Sequence, residues 1–331
     1  MNKKKIIIMF AVIVVVAIVA GGIWYLRQNQ KSNIKDQNGI SKIKNENQVA
    51  NRTTPQKTSL TWKAGNVAIA GNYADAEIVD LGSGKWRMYY AIEPEVKGNN
   101  FELYSATSTD GITWTKEDGT RKTMATFPDV IKLPDNRWRM YYQNNQVIKS
   151  AISTDGLNFT DEPGTRIDKT ETGFTIDNMA ASSTILLTDG TYLMVYRGLI
   201  NVPYSTTQKL PNQTTQLLFY ATSADGLAWQ KKGMAIDSRN ETLMGFSDGA
   251  ELVKWDDQEL RVYFWSYTGI YHSIYKNEKF SEAEFDFINS NNPNQKFPQN
   301  PPGDPTLAKI GSKWFMYYGQ HTKGIYYATL E

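Results

Sequence analysis

One phrase occurs five times in this chain, and it limits the fold more than any other feature. An apolar strand, a turn and an aromatic-rich strand read AEIVDLGSGKWRMYYA (76–91), PDVIKLPDNRWRMYYQ (128–143), STILLTDGTYLMVYRG (183–198), AELVKWDDQELRVYFW (250–265) and PTLAKIGSKWFMYYGQ (305–320). The equivalent positions Trp86, Trp138, Tyr192, Leu260 and Trp314 lie 52, 54, 68 and 54 residues apart. A second phrase follows in three copies, STDGITW (108–114), STDGLNF (153–159) and SADGLAW (223–229). There Asp-Gly makes a turn and the aromatic begins an outer strand. Each unit therefore supplies about four short strands and two hairpin turns, and a period of roughly 50 residues with four strands is one propeller blade. Residues after 58 show no sustained helical periodicity. The expected fold class is all-β, a five-bladed β-propeller over residues 59–331. A β-sandwich, the alternative, does not explain five equal copies.

The ends of the repeat region predict how the ring closes. Ser59-Leu60-Thr61-Trp62-Lys63 resembles the outer-strand text GITWTK and GLAWQK, yet it precedes the first blade. The last unit stops at Ile325-Tyr326-Tyr327-Ala328-Thr329, where its third strand should end. Residues 59–66 are therefore expected to form the fourth strand of blade five, leaving no open edge. The 68-residue spacing marks a polar insertion in blade three, about Leu199 to Gln216, and such loops on a rigid scaffold often shape binding sites.

The first 58 residues read differently. Lys3, Lys4 and Lys5 precede an uncharged run of 21 residues, Ile6 to Leu26. A helix of ~20 apolar residues spans a bilayer core, and a basic flank stays cytoplasmic. Residues 1–26 are thus expected to be a signal anchor, with the remainder extracytoplasmic. Small residues at Ala20-Gly21-Gly22 keep open a cleaved signal peptide and a secreted product. Residues 27–58 are rich in Asn, Gln, Lys and Ser and read as a flexible polar linker.

Composition removes several chemistries. The chain has no Cys, which excludes disulfides, thiolate metal sites and Cys nucleophiles. It has two His, which nearly excludes a multi-His metal site. Residues 1–58 carry 10 Lys/Arg against 2 Asp/Glu, and the remainder 26 against 32. The acidic main domain argues against nucleic acid as its partner. No cofactor is expected, a calcium ion in the channel being left open, and nothing argues for more than a monomer.

In a propeller the first strand of each blade lines the central channel. Near the starts of these strands the chain carries Asp75, Asp129, Asp177, Asp248 with Glu251, and Asp304. Carboxylates crowded on one axis repel, which raises some of their pKa values. Glycosyl transfer needs that combination, one protonated carboxyl as acid and one carboxylate as base or nucleophile. An Asp before a strand can equally be turn chemistry. Asp110, Asp155 and Asp225 of the Asp-Gly boxes read as turn formers, and the Tyr pairs with Arg87, Arg139 and Arg261 read as structural. Arg197 follows the second strand of blade three, where other blades have Ala, Gln, Ser or Gly, and is a candidate substrate ligand. Asp304 and His321 join it as channel-facing candidates, whereas His272 reads as packed.

At these residues the chain resembles the five-bladed propellers of the arabinanase, levansucrase and invertase superfamily, which includes glycoside hydrolase families 43 and 32. The resemblance spans roughly residues 59–331. TFPDVIKLPDNRWRMYYQ resembles the blade-two signature of family 43, and NYADAEIVDL its blade-one start, which makes Asp75 the implied general base. Ile176-Asp177 matches the start of the Ile-Asp-Pro run whose Asp tunes the acid, with Asn178 replacing Pro. The family's acid belongs to a Glu-Gly-Pro run, and here Asp248-Gly249-Ala250 stands in its place. Asp248 as a shorter acid, Glu251 as a substitute and an inactive site all remain open. Gly319-Gln320-His321 is similar to the family's late His. The Asp-Gly boxes are similar to those of sialidases, but those boxes carry an extra residue and six blades. The implied function is a membrane-anchored, extracytoplasmic glycoside hydrolase acting on an oligosaccharide or polysaccharide. The alternative is a non-catalytic propeller that binds glycan or a protein partner.

Overall fold

The computed structural model describes residues 60–207, 213–288 and 301–331. The signal anchor and the linker expected over residues 1–58 lie outside them. Among the described residues no helix is long and apolar enough to cross a membrane.

Five antiparallel sheets follow one another along the chain. Their innermost strands are Tyr73–Gly82, Thr126–Lys132, Asn178–Leu186, Asp248–Lys254 and Gly303–Ile310. Each of these touches the inner strand of the blade before and the blade after it, and the fifth touches the first, so the sheets form a ring. The second strands carry the buried aromatic text: Met88, Met140, Met194 and Met316 are fully buried, as are Tyr89, Tyr141, Tyr263 and Tyr317. Side chains on the two faces of each sheet pack against the neighbouring blades, so the core is a set of inter-blade clusters.

The ring closes as the terminal sequences require. Trp62–Ala70 pairs antiparallel with Gly324–Leu330, from Trp62 opposite Leu330 to Ala70 opposite Gly324. The closing strand is displaced from the expected 59–66, beginning at Trp62 and running on to Ala70. Trp62 is buried and meets the Trp255 ring of blade four edge-on at 6.4 Å. The insertion in blade three is shorter than its sequence signal, because Leu199–Ile200 and Thr215–Gln216 extend two nine-residue strands.

The Asp-Gly boxes do more than turn the chain. Asp155 Oδ1 accepts the N–H groups of Leu157 and Asn158, and Asp110 and Asp225 do the same in their blades. These bonds hold Asp110 at a pKa of about 2. The Gly carbonyl that each turn exposes accepts a tyrosine hydroxyl from the preceding blade: Tyr89 to Gly156 at 2.7 Å, Tyr141 to Gly226 at 2.8 Å, Tyr317 to Gly111 at 2.6 Å. Arg87 and Arg139 reinforce two of these clasps through backbone carbonyls of the next box and through Glu117 and Glu162 in their own blades.

Trp62→Ala is expected to lower stability by about 3–5 kcal/mol, the usual cost of emptying a buried aromatic site. Thermal unfolding of the full chain measures it. An unchanged melting temperature would show that the closing strand does not hold the ring.

Candidate active site

Every inner strand breaks its ladder at the same place. Two residues on the inner strand oppose one on the second strand between Ala74 and Glu77, Thr126 and Asp129, Ala180 and Ser183, Asp248 and Glu251, and Gly303 and Thr306. The extra residue in each bulge has a left-handed backbone: Asp75 at φ 53°, Phe127 at 51°, Ala181 at 49°, Gly249 at 60° and Asp304 at 46°. A bulge bends its strand and re-aims the side chains beside it. Five bulges at one level therefore turn unlike residues towards one mouth of the channel.

The bulges sort the expected acids into two depths. Two residues beyond each bulge point stand Glu77, Asp129, Ser183, Glu251 and Thr306. Each accepts a backbone N–H from the following blade: Val130 to Glu77, Thr184 to Asp129 (3.1 Å), Leu252 to Ser183 (2.8 Å), Leu307 to Glu251 (3.4 Å) and Ile78 to Thr306 (3.2 Å). Thr306 and Ser183 also donate their hydroxyls to Glu251, and Thr184 donates its own to Asp129. Asp129 and Glu251 thus belong to an inter-blade ring at mid-channel. Burial pushes Asp129 up to about 6 and Glu251 to about 8, against the hydrogen bonds that favour their charged forms. Glu77 rises well above the usual carboxylate range, through burial and then through Glu251 and Asp129.

At the mouth the bulges gather Asp75, Asp248 and Asp304 from blades one, four and five. Asp75 Oδ2 accepts the Phe127 N–H at 3.3 Å, and Trp265 Nε1 donates to Asp304 Oδ1 at 3.1 Å. Asp248 accepts from Arg197 Nε at 3.2 Å, a buried ion pair. The other side of the guanidinium donates to Asn178 Oδ1 at 3.0 Å, and that oxygen also accepts from Gln143. Gly249 is required here. A Cβ on it would stand 2.5 Å from Asp304 Oδ1, and its φ suits glycine. Asp75 and Asp304 lie deep in the ring yet keep part of their surface open to the channel. Burial raises Asp75 to about 7, with Asp248 and Glu93 adding to the shift and Arg197 opposing it. Asp304 is raised well above its ordinary range by burial, then by Asp75 and Asp248. The five bulge residues Asp75, Phe127, Ala181, Gly249 and Asp304 line a narrow axial cavity of about 20 Å³.

The other expected residues take different places. Asp177 lies four residues before the blade-three bulge, where Ala181 stands as Asp75 and Asp304 do in theirs. Arg197 sits opposite Ala180, beside the bulge, and blade four presents Trp265 rather than Ser266 at the equivalent position. His321 is exposed, its Nδ1 3.4 Å from Glu93 Oε1. Glu93, Glu95 and His321 lie close together. Both oxygens of buried Glu93 accept the Thr322 N–H, so this cluster clamps blade five's loop to blade one. His272 is packed, its Nδ1 2.6 Å from Asp286 Oδ2. Glu77 was not among the expected residues. Its signal is its spacing, twelve residues before Tyr89, as Asp129 stands before Tyr141 and Glu251 before Tyr263.

No family model matches the sequence, and no curated protein matches it. Solved structures do. One is a hydrolase of the family-130 mannoside phosphorylases that targets β-1,2 mannosidic linkages in Candida mannan, at 14% identity and TM-score 0.58, covering 83% of this chain and 95% of that one. A thermostable family-43 glycoside hydrolase is similar at 13% identity and TM-score 0.54, covering 82% and 92%. A family-43 β-xylosidase/α-arabinofuranosidase from a compost microbial metagenome, in complex with xylotriose, is similar at 15% identity and TM-score 0.56, covering 82% and 96%. At these identities the likeness establishes the fold, the five-bladed propeller.

The mid-channel carboxyls make stability depend on pH. Their folded pKa values lie above the unfolded carboxylate values of about 4. The folded state therefore holds more protons than the unfolded state between pH about 4 and about 8, and stability falls as pH rises through that window. Glu251→Gln keeps an oxygen for Leu307 and Thr306 and removes the titration. It is expected to flatten the fall in melting temperature from pH 5 to 8. A slope equal to that of the parent protein would place Glu251 outside the pH dependence.

Proposed function

We propose that the chain is a glycoside hydrolase, held outside the membrane by the apolar segment Ile6 to Leu26, and that it works on an oligosaccharide or polysaccharide. The observation that carries this reading is the unequal company of the mouth carboxylates. Asp248 has a cationic partner in Arg197, while Asp75 and Asp304 have none at ion-pair distance among the described residues. A carboxylate held by a cation, beside carboxyls that burial keeps protonated near neutrality, is the pairing that glycosidic bond cleavage uses.

The pairing also assigns roles. Asp248 acts as base or nucleophile and Asp75 as the proton donor, the reverse of what the family 43 resemblance implies. The charges of Asp248 and Glu93 support the protonated state of Asp75. Arg197 orients Asp248, and Asn178 and Gln143 hold Arg197. Carboxyl groups ~5–5.5 Å apart across the scissile bond give retention, and ~6.5–9.5 Å gives inversion.

A second reading, a binding propeller without turnover, is favoured by one observation. The Arg197 ion pair occupies the blade-four carboxylate, and that residue is an Asp where the family has Glu.

Hydrolysis by the full chain across aryl-glycosides and plant and bacterial polysaccharides separates the two. Asp75→Asn and Asp248→Asn are each expected to lower kcat/KM by about 10²–10⁴, the usual weight of a positioned acid or base. As proton donor, Asp75 should set an alkaline limb near pH 7. Turnover unchanged in both variants would move the chemistry elsewhere. No turnover from the folded parent protein would leave the binding reading.

A further inference from the structure

Beside the axial cavity, where blades one and two meet, opens a cleft of about 350 Å³. Asp75 forms its inner wall, so the cleft and the carboxylates are continuous. Phe101, Met124 and Phe127 line it, and at its exposed edge stand the amides of Asn145 and Gln146. Phe101 is 40% exposed and Met124 52% exposed, so two large apolar side chains present free faces to the cleft.

The backbone around the cleft is unusual. Phe101 (φ 54°), Met124 (56°), Phe127 (51°), Asn145 (49°) and Gln146 (66°) all lie in the left-handed region without being glycine. Each such residue costs about 1–2 kcal/mol unless its side chain hydrogen-bonds locally. Such conformations persist where the surroundings over-determine them, and they gather at ligand sites. Here the surroundings do so: Met124 N–H donates to Asn100 O, Ala125 N–H to Phe101 O, and Asn144 Nδ2 to Met124 O at 2.7 Å. Strained turns hold Phe101 and Met124 out into water at the edge of the carboxylate cluster.

We propose that this cleft is the leaving-group subsite and that it takes an uncharged sugar ring joined to the ring held at the mouth carboxylates. Apolar faces and amides at the exposed edge match a pyranose, whose ring carbons pack on side chains while its hydroxyls exchange hydrogen bonds. The charge of the cleft selects among sugars. No Lys or Arg lines it. Lys169 reaches only the Oε1 of Gln146, at 3.0 Å, and Arg197 is engaged by Asp248 and Asn178. A uronate or a sugar phosphate would therefore enter beside Asp75 without a counter-charge. The leaving-group role rests on the hydrolase reading, whereas the ligand class does not.

Calorimetric titration of the full chain and of its Asp248→Asn variant tests the proposal without turnover. The probes are xylotriose, mannotriose, cellotriose, trigalacturonic acid and the matching monosaccharides. At least one neutral trisaccharide is expected to bind about tenfold more tightly than its monosaccharide, and Phe101→Ala/Met124→Ala to remove that advantage while monosaccharide binding stays. Both replaced side chains are exposed, and near-ultraviolet circular dichroism checks that the double variant folds. The proposal is overturned if trigalacturonic acid binds best, if the double variant keeps the advantage, or if no neutral trisaccharide binds more tightly than its monosaccharide. Hydrolysis that fails while this binding pattern holds would remove the hydrolase reading and keep the sugar subsite.

Discussion

The ring of five inter-blade hydrogen bonds around the channel is the interaction on which everything else depends. At one position in each blade a side-chain oxygen accepts the N–H of the next blade, and the fifth bond returns to the first blade. The backbone donors there are buried on the channel-side edge of the inner strands, where no further strand pairs them, so leaving one unpaired would cost about 1–3 kcal/mol. That need limits the position to residues with an acceptor oxygen, and the chain uses Glu, Asp, Ser, Glu and Thr in turn. The protein thereby accepts three carboxyl groups in its interior, which burial keeps partly protonated.

Locking the blades at this depth fixes what lies one step nearer the mouth. The bulge that lets the ring form places its extra residue at the channel opening, where no inter-blade bond is required of every blade. Those positions are free to differ. Blades one and five put Asp there, blade two Phe127, blade three Ala181, and blade four a glycine that makes room for Asp304. Structure and chemistry are thus separated by two residues along each inner strand. At the periphery the Asp-Gly boxes clasp tyrosines of three blades, and the closing strand Trp62–Ala70 completes blade five. Blade three departs from the clasp, because Val195 stands where the clasped blades have Tyr89, Tyr141 and Tyr317.

The architecture was legible because repetition is a property of the sequence itself. The Tyr-rich second strands fix the register of five copies, and the stray outer-strand text at Trp62 announces the closure. The candidate site was legible in part. Asp75, Asp248, Asp304 and Arg197 stand out as chemistry-bearing residues near strand starts, and they meet at one mouth. Their separation from Asp129 and Glu251 was not legible, because a one-residue bulge reverses which face a side chain takes and nothing in local composition marks it. Glu77 was hidden for a related reason. It lies inside an apolar strand, and only counting back from Tyr89 in the aligned repeats shows that it matches Asp129 and Glu251. The cleft between blades one and two had no sequence signal, since Phe101 and Met124 come from irregular segments outside the repeat.

The same bulge repeated in five blades places Asp75 and its companions in one crowded mouth. Carbon-13 NMR titration of the aspartate carboxyls, with Asp75→Asn used to assign the resonance, tests it most directly. The Asp75 carboxyl is expected to titrate near pH 7. A midpoint near about 4, the value of an aspartate in water, would show that Asp75 stands apart from the other carboxylates and open to solvent, and the site described here would not exist.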